Sequence, residues 1–219
     1  MSVSEKLHKD TEQVWNKIIE HPFVVELYQG SLAMEKFKTY ILQDYSYLVD
    51  TIKNFSIIAS RAQSVDVLRE TVEIAHLEAT GEFQGYEDFL HTLGYTLDDA
   101  MNVEPFPVNL SYRGFLLTTS SLRSSQEALV SVLPCFWTYL DIALYHQDAL
   151  RGNANKIYVD WASVYLSKDY AQLVEKLRRL VDRICDDFPY ERLKLVFLTA
   201  SRYEYMYWDA AYNLESWPV

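Results

Sequence analysis

Glycine and proline are few in this chain, and all but one of the prolines stand between its periodic apolar segments or at its end. Six of each occur in 219 residues, and Pro22, Pro105, Pro107, Pro189 and Pro218 fall at segment boundaries or at the chain end. Both residue types interrupt regular backbone, so the stretches between them can run long. Apolar residues there recur at helical spacing. The spacing predicts helices over Ser4–Glu20, Met34–Ala62, Asp66–Leu93, Asn109–Ser121, Ser125–Ala149, Ile157–Leu166, Lys168–Ile184 and Tyr190–Leu214, with Ser4 as a candidate cap. The stretch from His21-Pro22 to Gly30-Ser31 reads as a turn, and Met101–Pro107 as irregular. The fold class is therefore all-α, one compact bundle of about eight helices in a single domain over residues 1–219.

Hydrophobic residues make up 49% of the chain and aromatics 15%, which excludes disorder and allows one well-filled core. The aromatics are mostly tyrosine, 17 against 10 Phe and 5 Trp. A buried phenol needs a partner for its hydroxyl, so a polar, aromatic-lined pocket is plausible. A formal net charge of −11 argues against a nucleic-acid partner, which requires clustered Lys and Arg. No uninterrupted apolar run approaches the roughly 20 residues of a membrane span. The N-terminal residues from Met1 to His8 are charged and lack the apolar centre of a signal peptide. Two cysteines, Cys135 and Cys185, make no disulfide framework. The expectation is a cytoplasmic chain with no membrane association.

One proline breaks the pattern. Pro134 lies inside the helix predicted over Ser125–Ala149, whose apolar stripe runs Ala128, Val132, Cys135, Phe136, Tyr139, Ala143. Proline lacks an N–H and disturbs a helix locally. Cys135 follows it directly, and Tyr139 lies one turn on, over the same face. A thiol in that position fits a reactive site, and equally a structural cysteine packed as a small hydrophobe. Two carboxylates also stand where the helical period expects apolar side chains. Asp44 shares a face with Tyr40, Ile41, Tyr47, Leu48 and Thr51; Glu204 shares one with Phe197, Ala200, Ser201, Tyr207, Trp208 and Ala211. A carboxylate loses hydration in a core unless paired or hydrogen-bonded. Each could serve a cap or an ion pair; converging with Cys135, they would supply a nucleophile, a proton-transfer group and an orienting acid. Cys185 lies among Asp182, Asp186 and Asp187, which disfavour a thiolate, and is expected to be inert.

Helical bundles also hold metals and haem. Glu73-Ile74-Ala75-His76 is one Glu-x-x-His step, and a di-iron site needs two. His8, His76 and His146 are the candidates for a haem ligand, each among polar neighbours. No metal site is predicted.

The motifs His21-Pro22-Phe23, Gln43-Asp44-Tyr45-Ser46-Tyr47, Pro134 to Tyr139, Trp161 to Tyr165 and Glu204 to Tyr212, in this order and spacing, resemble the TenA family. These are the thiaminase II or aminopyrimidine aminohydrolase enzymes, within the haem-oxygenase-like helical superfamily. The resemblance spans essentially the whole chain. It implies Cys135 as nucleophile and Glu204 as acid/base. It implies Asp44 as the carboxylate that holds the aminopyrimidine, Tyr139 as a substrate contact and Tyr47 as the aromatic that supports the thiol. Tyr112, Tyr165 and Tyr207 match pocket positions. The last is commonly phenylalanine, and Ala162 stands where many relatives have isoleucine. The reaction implied is hydrolysis at the 5-methylene of a 4-amino-2-methylpyrimidine, in thiamine salvage, by a homotetramer that requires no cofactor. Other superfamily members, haem or di-iron proteins, and non-catalytic regulators on the same scaffold are the alternatives.

Overall fold

The computed structural model describes all of residues 1–219. Its regular elements are twelve α-helices and one π-helical turn. The first predicted helix is two, α1 (Val3–Asp10) and α2 (Glu12–Ile19). They part at Thr11, whose hydroxyl donates to the Leu7 carbonyl at 2.9 Å, the local competition by which Thr bends a helix. Ser2, not Ser4, caps α1 in a capping box with Glu5; Ser4 is buried and donates to the Asp182 carboxylate. The expected turn at His21–Ser31 is also a helix, α3 (Pro22–Gln29). Pro22 occupies the first helical position, where its missing N–H costs nothing, and His21 Nδ1 accepts from the Phe23 N–H at 3.1 Å. Gly30 ends α3 at φ 83°, and a Cβ there would collide with Asn153.

Helix α4 is Met34–Ser60 and α5 is Val65–Leu77. The stretch predicted as one helix to Leu93 is interrupted after α5 by a π turn over Glu78–Glu82, then continues as α6 (Phe83–Thr92). The chain proceeds through α7 (Leu97–Met101), α8 (Pro107–Leu122), α9 (Ser125–Arg151), α10 (Lys156–Val164), α11 (Lys168–Cys185) and α12 (Tyr190–Asn213). Helix α7 lies partly in the stretch read as irregular, begun by a Thr96–Asp99 capping box. Helix α9 runs unbroken through Pro134, with Thr138 Oγ1 donating to the Pro134 carbonyl at 2.8 Å.

Four long helices, α4, α8, α9 and α12, touch one another in every pairing and form the centre. Helix α9 is long and apolar enough by composition to cross a membrane, and 72% of that stretch is buried inside the bundle, as expected of a core helix. Polar ties fix the four. Arg113 on α8 pairs with Asp50 on α4 at 2.6 Å. Arg192 on α12 pairs with the buried Glu127 on α9 at 2.7 Å. Gln43 on α4 accepts from the Phe106 N–H at 2.9 Å and donates to the Glu104 carbonyl at 2.8 Å. It is buried beside Asp44 and holds that turn of α4 against the segment entering α8.

The apolar interior consists of two clusters. One contains Tyr40, Tyr165 and Tyr207; the other contains Tyr47, Tyr112 and Phe136, with Cys135 packed against it. The candidate residues therefore collect at the seam between two cores.

Candidate active site

At that seam three cavities adjoin. The main chamber, about 420 Å³ of space free of protein atoms with its mouth included, is lined by Asp44, Tyr47, Cys135, Tyr139 and Tyr165 among others. An inner chamber of about 210 Å³ is lined by Asp44, Tyr47, Tyr112, Cys135, Tyr139, Glu204 and Tyr207. Asp44, Tyr47, Cys135 and Tyr139 border both. An outer opening between the π turn and α10 shares Asp44, Glu82 and Tyr165 with the main chamber. All eight residues singled out in the sequence line this system; seven come from the four central helices, and Tyr165 directly follows α10.

The periodicity that placed Glu204 inward is matched in the fold: Phe197, Ala200, Ser201, Glu204, Tyr207, Trp208 and Ala211 are all buried. One turn before the acid, Ser201 accepts from Trp15 Nε1 at 3.1 Å and fixes α12 against α2. Glu204 has no lysine or arginine. Its partner is the Tyr112 hydroxyl, which donates to Oε1 at 2.5 Å. Burial raises the Glu204 pKa to about 7, while the bond from Tyr112 acts in the opposite direction. A carboxyl poised there can give or take a proton at neutral pH.

Cys135 keeps some exposure because it faces the cavity, whereas Cys185 is fully buried. Burial pushes both thiols up, Cys185 to about 12 with Asp182 adding to the effect. For Cys135 the Glu204 charge raises it further, and a hydrogen bond from Tyr47 lowers it. The contrast drawn from neighbouring charges alone thus changes form: neither thiol is a resting thiolate, and what distinguishes Cys135 is a cavity, a phenol and an acid. Asp44 forms no hydrogen bond with a protein cap. Burial lifts its carboxyl well above the ordinary range, and the charges of Glu82 and Glu204 lift it further. It therefore favours the protonated form in the free pocket.

Aromatic packing shapes the walls. Tyr139 shares a 2.9 Å hydroxyl contact with Tyr40 and packs on Tyr165 with ring centroids 4.9 Å apart. The Tyr207 hydroxyl, which phenylalanine would lack, is buried without a partner. Residues that periodicity did not single out as site groups also border the main chamber: Thr51, Glu78, Glu82 and Tyr170. Tyr170 is held by donating to the Phe136 carbonyl at 2.9 Å.

Elsewhere, Glu73 pairs with Lys176 at 2.5 Å on the surface, and His76 is exposed. His8 pairs with Asp141 at 2.9 Å, and His146 contacts the Ile19 carbonyl at 2.8 Å. No group of three His, Cys, Asp or Glu side chains is arranged to hold a metal ion.

The profile of the TENA/THI-4/PQQC family matches residues 8–214. The chain belongs to that family. A TENA/THI-4/PQQC relative from Helicobacter pylori, named aminopyrimidine aminohydrolase, is 31% identical over 97% of this chain and 100% of its own. The solved structure of a TenA homologue from P. horikoshii OT3 superposes with a TM-score of 0.94 at 43% identity, covering 97% of this chain and 99% of that one. A domain from Shewanella denitrificans described as having a heme oxygenase-like fold superposes with a TM-score of 0.79 at 16% identity, over 96% of this chain and 92% of that one. At that identity the likeness speaks for the fold alone.

Proposed function

We propose that the chain is an aminopyrimidine hydrolase that replaces the 5-methylene substituent of a 4-amino-2-methylpyrimidine with hydroxyl, in thiamine salvage. The observation that carries this is the meeting of Cys135, Asp44 and the Glu204–Tyr112 pair around one seam. It does so in a chain whose full-length relative from H. pylori is named aminopyrimidine aminohydrolase.

The electrostatics suggest how the residues would divide the work. A thiol held high by burial and by Glu204 gains little from ionising alone in this pocket. Addition of S–H across a ring C=N avoids that: sulfur bonds to the electron-poor ring carbon, and the proton passes through Glu204 to the ring nitrogen. No net charge appears in the low-dielectric chamber. The 4-amino lone pair then drives out the substituent with its bonding electrons, leaving an exocyclic methylene at C5. Water adds to that methylene and loses a proton; the ring nitrogen gives up its proton as sulfur departs. The products are the 5-hydroxymethyl pyrimidine and either ammonia or the free thiazole. Asp44, protonated, can donate to the ring nitrogen beside the 4-amino group and accept from that amine, while aromatic walls pack on the flat ring. No cofactor enters.

The assembly we infer is a homotetramer in the cytoplasm. Exposed apolar side chains such as Leu144, Tyr145 and Leu195 and two unpaired cysteines support this. Light scattering after size exclusion would return four chains of 25.6 kDa each. The function is tested by incubating the protein separately with thiamine and with 4-amino-5-aminomethyl-2-methylpyrimidine. Mass spectrometry then looks for the hydroxymethyl pyrimidine; its absence from both reactions rejects the assignment.

A further inference from the structure

The π turn between α5 and α6 carries a pair of acids that the mechanism above does not use. Glu78 is 5% exposed, borders the main chamber and has no hydrogen bond or ion pair to any protein group. Glu82, four residues on, borders the same chamber and also the outer opening. Like charges at this spacing oppose each other on a helix, and a buried carboxylate without a partner is costly. Three further facts point to a ligand. No Lys, Arg or His lines the main chamber, the inner chamber or the outer opening. Thr51, which lines the same chamber from α4, holds a buried hydroxyl with no partner. The segment is π-helical, a distortion that recurs at functional sites.

We propose that Glu78 and Glu82 form a cation subsite for the group carried on the 5-methylene of the pyrimidine, a primary ammonium or a quaternary thiazolium. This rests on the aminopyrimidine reading of the site. A ring placed in the inner chamber between Asp44 and Glu204, against Cys135, directs its 5-substituent into the main chamber, where the two acids stand. Both substituents are cations and the hydroxymethyl product is neutral. The acids therefore favour substrate over product, and product leaves without breaking an ion pair. Burial raises both carboxyls, so an entering cation is what draws them into the ionised form. The net charge of −11 assists at longer range by drawing cations toward the protein.

The test compares Glu78→Gln, Glu82→Gln and the double variant with wild type. The readouts are kcat/KM for the aminomethyl pyrimidine and for thiamine, and Kd for the neutral hydroxymethyl pyrimidine by calorimetry. A lost charge-assisted contact should lower kcat/KM for the cations about tenfold or more. Kd for the neutral product should stay at the wild-type value, which also reports an intact pocket. A loss confined to thiamine assigns the subsite to the thiazolium, and a loss confined to the amine assigns it to the ammonium. Unchanged kcat/KM for both cations, or an equal loss for the neutral product, overturns the subsite while leaving the aminopyrimidine reading in place. Wild type that binds neither pyrimidine overturns both.

Discussion

The Tyr112 hydroxyl donates a 2.5 Å hydrogen bond to Oε1 of Glu204 and so ties α8 to α12 at the floor of the inner chamber. Burial raises the acid to about 7, and this bond is the one influence holding it down. Tyr112→Phe should therefore move the Glu204 pKa upward. If Glu204 receives the thiol proton, its ionised form is the active one in the free enzyme. The acidic limb of the kcat/KM–pH profile should then lie near neutrality in wild type and shift to higher pH in the variant. An unshifted limb would mean that another group titrates there.

Glu204→Gln keeps the acceptor for Tyr112 but cannot carry a proton. General acid–base groups contribute about 10²–10⁴-fold, and kcat should fall within that range. Steady-state rates beside product binding check this: full activity removes Glu204 from the chemistry.

The same substitution has a stability signature. A carboxyl at about 7 in the fold, against 4.5 as its ordinary value, binds its proton more tightly folded than unfolded. Its contribution is complete below pH about 4.5 and is lost as pH rises to about 7, on the order of 3 kcal/mol. Asp44 and Glu78 act in the same direction, so thermal stability should decline from acidic to neutral pH. Glu204→Gln should reduce that decline and melt higher than wild type at pH 8. A variant parallel to wild type across the range would refute the linkage.

Much of this site could be read from periodicity, and the part that could not has a physical cause. Asp44, Cys135 and Glu204 sit on regular α-helices, so a polar residue on an apolar stripe pointed to the interior in each case. Glu78 and Glu82 could not be found that way, because the π turn adds residues to the turn and shifts the stripe. A continuous helix from Asp66 to Leu93 was the natural reading. Helix α3 was hidden for a different reason: Pro22 is a turn signal and equally a first-position helix residue, and only the His21 cap decides between them. The Tyr112–Glu204 contact joins residues 92 positions apart, which no local pattern encodes.

Cys135 and Cys185 provide a matched pair. Cys135→Ser should cost orders of magnitude in turnover at unchanged folded yield, whereas Cys185→Ser should retain activity and lose stability, since Cys185 packs fully buried in a core cluster. Tyr47→Phe removes the bond that lowers the Cys135 thiol and should reduce kcat more than it raises KM. Equal activity losses at the two cysteines would assign both a structural role.

Asp44 separates recognition as an acid from recognition as an ion. Its carboxyl is pushed well above the ordinary range by burial and by the charges of Glu82 and Glu204, which favours the neutral form facing the ligand. A neutral carboxyl offers one donor and one acceptor, which match the ring nitrogen and the 4-amino group of the pyrimidine. An asparagine amide offers the same pair at nearly the same size. Asp44→Asn should therefore bind the hydroxymethyl pyrimidine close to wild type. Asp44→Ala, which leaves the amine unpaired in a buried site, should lose about 1–3 kcal/mol, or roughly 5- to 150-fold in Kd. An analogue lacking the 4-amino group should bind wild type weakly and distinguish little between wild type and Asp44→Ala. Calorimetry with both ligands decides the matter. If Asn costs as much as Ala, the carboxyl acts through its charge; if both variants weaken the two ligands equally, Asp44 supports the pocket wall and does not read the amine.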